Sequence, residues 1–179
     1  MPSRQKVKGS NFERDIAKHL TKVFGLNFER VPTSGAMTGG VNAAKLAQMS
    51  ANQQQLLEGD LIPPEELSLM KIECKTLKSL NFSSLYKSCS IFDDWIEQAE
   101  SEGKLWFLIF KINNRGTYVA TSARIYDDIT ETDENRMHYK GVKITLMDGF
   151  FEKNKDLILD WVKSTNEHNN LPPLYYDRF

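Results

Sequence analysis

Residues 105–121 read as two strands joined by a tight polar turn, and this pairing constrains the fold more than any other stretch of the chain. Leu105–Ile112 is an apolar run, Asn113-Asn114-Arg115-Gly116 supplies turn residues, and Thr117–Thr121 returns antiparallel. A second strand pattern lies upstream. Over Leu69–Thr76, Met70, Ile72 and Cys74 alternate with Lys71, Glu73 and Lys75, the period of two expected when one face is apolar. Asp60-Leu61-Ile62 begins a shorter strand that Pro63-Pro64-Glu65-Glu66 breaks, and Leu26–Val31 alternates enough to be another. A further strand falls at about Val142–Met147.

Helical patterns surround these strands. Phe12, Ile16, Leu20 and Val23/Phe24 form one apolar stripe from about Asn11 to Phe24. Ser10 followed by Glu13 reads as a capping box at its start, and Gly25 as its stop. A second helix is expected from about Ser83 to Glu102, with Leu85, Ile91, Trp95 and Ala99 near one face and Gly103 at its end. A third is expected from Phe150 to Lys163. The order helix, strand, strand, strand, helix, hairpin, strand, helix predicts an α/β fold, a mixed sheet with helices packed on it. Residues 36–58, rich in Gly, Ala and Gln, read as an inserted loop and weak helix over the surface. Residues 164–179 read as an extended tail. Trp95, Trp106 and Trp161 are expected in the core, and Tyr175 and Tyr176 are expected to dock on the body or on a second subunit.

The chain has 179 residues, of which 40% are hydrophobic and 26% charged, so one domain with a real core is expected. No apolar run approaches the ~18 residues of a membrane span, and the N-terminus lacks the apolar core of a secretory signal. Cys74 and Cys89 give no disulfide framework, and the three histidines sit in no metal-ligand pattern. A cytoplasmic setting is expected. Net charge is −1, which excludes coating nucleic acid by bulk electrostatics. Residues 1–30 nevertheless carry seven basic side chains against three acidic ones, while residues 127–179 carry eleven acidic and seven basic. A local basic surface near the N-terminus follows, or simply a solvated helix face with a basic tail.

The chemistry concentrates at Gly59-Asp60 and Glu73-Cys74-Lys75. Strand geometry puts Glu73 and Lys75 on one face and turns the Cys74 side chain into the core. If Asp60 begins the neighbouring strand, its carboxylate converges with that of Glu73. Two carboxylates, helped by the backbone carbonyl of Cys74, suit Mg²⁺ or Mn²⁺, hard cations that prefer oxygen. Phosphodiester hydrolysis needs such a cation to acidify water and neutralise the phosphate. It also needs a cationic side chain, here Lys75, to orient water or stabilise developing charge.

Four short segments then carry a resemblance. Gly9-Ser10-Asn11-Phe12-Glu13-Arg14, Arg30-Val31-Pro32-Thr33-Ser34-Gly35, Gly59-Asp60 and Glu73-Cys74-Lys75 follow one another in that order, and Asp60 with Glu73-Cys74-Lys75 resembles the signature of the PD-(D/E)XK nuclease superfamily. Within it they are most similar to archaeal and viral Holliday-junction resolvases. The resemblance spans roughly residues 6–112. It implies a restriction-endonuclease-like core, a branched or junction DNA substrate and a homodimer that cuts both sides of the junction. It also implies that Glu13 joins the metal site, that Ser34 contacts the scissile phosphate and that Gln98 stands beside the site. Lys6, Lys8, Arg14, Arg30 and Lys111 would bind the DNA backbone. Gly59 stands where the superfamily's name has a proline, and the stretch between Gly35 and Asp60 is longer than resolvases carry.

Each of these residues also has a plainer reading. Glu13 could serve only the capping box, Ser34-Gly35 only a turn, Arg30 only as a surface cation and Gln98 only as an exposed helix residue. The functional alternatives are a nuclease of this fold with another DNA target (restriction, repair or phage genome processing) and a binding module that has lost catalysis. A hydrolase of small phosphate esters is disfavoured because no Gly-rich phosphate cradle is visible.

Overall fold

The computed structural model describes residues 4–31, 58–130 and 137–169. Ser34, nearly all of the 36–58 insertion and residues 170–179 with both C-terminal tyrosines lie outside the described residues, as does the side chain of Lys6. In chain order the elements are α1 (Arg4–Phe24), β1 (Glu29–Arg30), β2 (Leu61–Ile62), β3 (Met70–Leu77), α2 (Ser90–Ala99), β4 (Leu105–Ile112) and β5 (Gly116–Ser122). These are followed by α3 (Ala123–Asp128), β6 (Met137–Tyr139), β7 (Val142–Leu146) and α4 (Phe150–Asn169).

Five strands form one sheet in the order β3-β4-β5-β7-β6. β3 and β4 run parallel, from Met70 opposite Leu105 to Leu77 opposite Ile112. All other pairs are antiparallel. Parallel neighbours require a crossover, which here passes through α2. β4 is buried on both faces from Leu105 to Phe110, as that apolar run requires of a strand covered by helices on both sides. On one face, Ile72, Cys74, Phe107, Ile109 and Val119 pack with Phe12, Ile16 and Leu20 of α1 and Phe151, Ile158 and Val162 of α4. On the other, Trp106, Leu108, Phe110, Ala120 and Ile144 pack with Leu85 and with Phe92 of α2. The result is a mixed sheet flanked by helices, in keeping with a restriction-endonuclease-like fold.

Several expectations need correction. α1 starts at Arg4, so Ser10 lies inside the helix and no capping box forms there. Residues 4–8 are good helix formers without an apolar stripe, which is why periodicity missed them. The strand expected over Leu26–Val31 shrinks to Glu29–Arg30, paired with β2. The long helix expected over 83–102 is two pieces, a 3₁₀ turn at Phe82–Tyr86 and α2. The break falls at Cys89, whose extended backbone N–H donates to the Tyr139 hydroxyl at 2.9 Å. The same hydroxyl donates to Asp93 at 2.7 Å, pinning the start of α2 to β6. Consequently Phe92 is fully buried, whereas Ile91 is exposed. Helix α4 continues to Asn169, past the expected stop at Lys163. Trp106 is buried, and Trp95 and Trp161 are partly buried against the core.

Candidate active site

Among the described residues β3 is an edge strand, and two of the backbone groups it turns outward, the Ile72 carbonyl and the Cys74 N–H, bond to one residue. Asp60 donates its N–H to the Ile72 carbonyl at 2.8 Å. Its carboxylate Oδ2 accepts from the Cys74 N–H at 2.8 Å, and its own carbonyl accepts from Val31 N–H at 2.9 Å. Asp60 thus docks the β1–β2 ribbon onto the sheet edge and fixes its own carboxylate there. Gly59 makes the approach possible. Its φ is +89°, and a Cβ at that position would stand 2.6 Å from the Ile72 carbonyl oxygen.

Helices bring further groups to this edge from both faces of the sheet. From α1, Glu13 is almost fully buried and pairs with the Arg30 guanidinium of β1. From the opposite face come Glu73 and Lys75, two residues apart on β3. The Lys75 ammonium donates to Glu73 Oε1 at 2.5 Å and to Gln98 Oε1 of α2 at 2.6 Å. Burial, followed by the negative charges of Glu73 and then Glu13, raises the Asp60 carboxyl to about 7. The Cys74 N–H and the Lys75 charge oppose that rise. The Cys74 side chain points the other way, into the core, where burial pushes its thiol well up.

Glu13, Arg30, Asp60, Glu73, Lys75 and Gln98 therefore stand together, although they come from five separate segments. Lys8 and Arg14 lie exposed on α1, where Arg14 bonds Asn11 at 3.0 Å. Lys111 lies exposed on β4, opposite Thr76 and Thr117. Sequence reasoning missed the pairing of Arg30 with Glu13, a contact across 17 residues that leaves no periodic trace. It also missed the ion pair between Lys104 and Glu58, 2.6 Å long, which ties the approach to Asp60 onto the start of β4. Gly59 was a readable signal for the close approach.

The donor set suits a hard cation. It offers the carboxylates of Asp60, Glu73 and Glu13, together with the Cys74 carbonyl, which faces the same strand edge as the Cys74 N–H. A carboxyl raised to about 7 by burial and then by two like charges is one whose ionised form a divalent ion would stabilise. Among the described residues, however, no three His, Cys, Asp or Glu side chains already stand as a metal-binding group. Glu13 and Glu73 are instead turned to Arg30 and Lys75.

An Asp on the sheet edge, with Glu and Lys two residues apart on the neighbouring strand of a helix-flanked mixed sheet, defines the PD-(D/E)XK class of nucleases. Residues 4–169 match the family described as "Phage putative PDDEXK endonuclease", and the chain belongs to that family. The match is to phage endonucleases, and nothing in it singles out Holliday-junction resolvases. No curated protein and no solved structure matches the chain. Among the described residues, no helix is long and apolar enough to cross a membrane.

Proposed function

We propose that this protein is a divalent-metal-dependent DNA endonuclease acting in phage DNA processing. The observation that carries the reading is the partly buried Asp60 carboxyl beside Glu73 and Glu13, with the Lys75 ammonium held next to Glu73. Membership of a phage endonuclease family supports a DNA substrate.

Asp60, Glu73, Glu13 and the Cys74 carbonyl would hold Mg²⁺ or Mn²⁺. Such an ion supplies positive charge to the phosphate and lowers the pKa of water. The side chains have separate tasks. Asp60 is held rigid by the Cys74 N–H, so its carboxylate is in place before a cation or substrate arrives. Lys75 presents N–H donors towards the region where charge develops on the phosphate, and Gln98 fixes the direction of that ammonium. Arg30 pairs with Glu13 and would hold its carboxylate in place beside the site.

Four-way junction, linear duplex and single-stranded DNA should be incubated with the protein in Mg²⁺, in Mn²⁺ and in chelator, beside Lys75→Ala and Asp60→Asn. Metal-dependent cleavage of at least one substrate, lost in both variants, is the expected result. DNA binding without cleavage under either metal would sink the enzymatic reading in favour of a binding module. Symmetric nicking of the junction alone would narrow the target to branched DNA.

A further inference from the structure

Along β3, Lys71, Glu73 and Lys75 share one face, so a cation stands on each side of Glu73. Lys75 pairs with Glu73, Lys104 with Glu58 and Arg30 with Glu13. Lys71 differs from them. It is half-buried, its ammonium donates only to the backbone carbonyl of Glu100 at 3.2 Å, and among the described residues no carboxylate lies within ion-pair distance. Glu100 caps the C-terminus of α2, so this bond by itself could be ordinary helix capping by a cation. Yet a half-buried ammonium with no carboxylate in direct contact carries a desolvation cost that the nearby charges of Glu58 and Glu73 offset only in part, and an arriving anion would offset more of it. A strand advances about 3.3 Å per residue, which sets Lys71 about 7 Å along β3 from Glu73. One strand of duplex DNA presents a phosphate for every 3.4 Å of axis, so that offset corresponds to about one or two nucleotides.

We propose that Lys71 binds the backbone phosphate of a nucleotide next to the scissile one, setting the register of the DNA strand along β3. This rests on the nuclease reading above and adds a substrate contact outside the cluster around Asp60. Lys104 sits close by, but its charge is already taken by Glu58.

Equilibrium binding of linear duplex to the full chain, measured in Ca²⁺ over a series of salt concentrations, tests it. A phosphate contact contributes about 0.9 to the slope of log affinity against log salt. Lys71→Gln and Lys71→Met should each flatten that slope by about one, while Lys71→Arg keeps it. With cleavable DNA in Mg²⁺, the loss should fall mainly on KM. If the folded Gln and Met variants keep the wild-type slope and lose only thermal stability, Lys71 is a helix cap and the inference is overturned. Wild-type protein that cuts DNA while these variants keep its slope sinks this inference alone. Wild-type protein that neither binds nor cuts DNA removes the nuclease reading, and this one with it.

Discussion

At Asp60 the same burial that readies the carboxylate for a cation makes it costly to leave ionised. Its carboxyl is raised from 3.8 to about 7 in the fold, so the folded chain holds this proton more tightly than the unfolded chain does. The resulting stability is fully present below about pH 4 and is lost as pH rises through about 7. In chelator, wild-type protein should therefore melt at a higher temperature at about pH 6 than at about pH 8. Asp60→Asn, which cannot titrate, should show less of that difference, and equal pH sensitivity in both would refute the assignment. Gly59 gives a second residue-scale prediction. Restoring the proline of the superfamily's name would demand φ near −65° where the chain has +89°. Gly59→Pro and Gly59→Ala should each lower stability by about 1–3 kcal/mol, read by denaturant melts, and should reduce metal-dependent cleavage. Lys75→Ala should reduce the single-turnover rate by about 100-fold or more without a matching fall in stability.

The elements differ in how much of them can be read from the chain. β3 and β4 were legible to within a residue, because alternation in one and a six-residue apolar run, Leu105–Phe110, in the other reflect their own burial. Asp60, Glu73 and Lys75 were legible as a group because they sit on or beside those strands. The start of α1 was not, since Ser10 and Glu13 imitate a cap while the residues before them carry helix propensity without a stripe. The break before α2 was not legible either, because it depends on Tyr139, which lies 50 residues from Cys89. β6 and the short α3 escaped notice for want of length. That tether makes a prediction. Tyr139→Phe removes the hydrogen bonds to Cys89 and Asp93 and should destabilise the fold by about 1–3 kcal/mol. Cleavage measured well below the melting temperature should survive, because Gln98 lies at the other end of α2. A selective loss of activity would show that the start of the helix is coupled to the site.

For the molecule as a whole, divalent ions should act as structural ligands before they act as cofactors. An ion that binds the folded chain and not the unfolded one raises its melting temperature by mass action. Mn²⁺ or Mg²⁺ should stabilise the wild-type protein, and the gain should shrink at about pH 6, where the proton on Asp60 competes. Asp60→Asn should lose most of the gain at either pH. An equal gain in this variant would place the ion elsewhere.

Because, among the described residues, β3 pairs with a sheet strand on one side only, its other side carries backbone groups able to template a strand from another molecule. Asp60 occupies two of these with its main chain and its side chain. The residue read as a ligand for catalysis would thereby also guard against self-association. Substitutions that empty the site while releasing this segment should then be recognised first by aggregation during expression. For an inactive control, asparagine is a better choice at position 60 than alanine, since its side-chain oxygen can still accept from Cys74 and keep the edge covered.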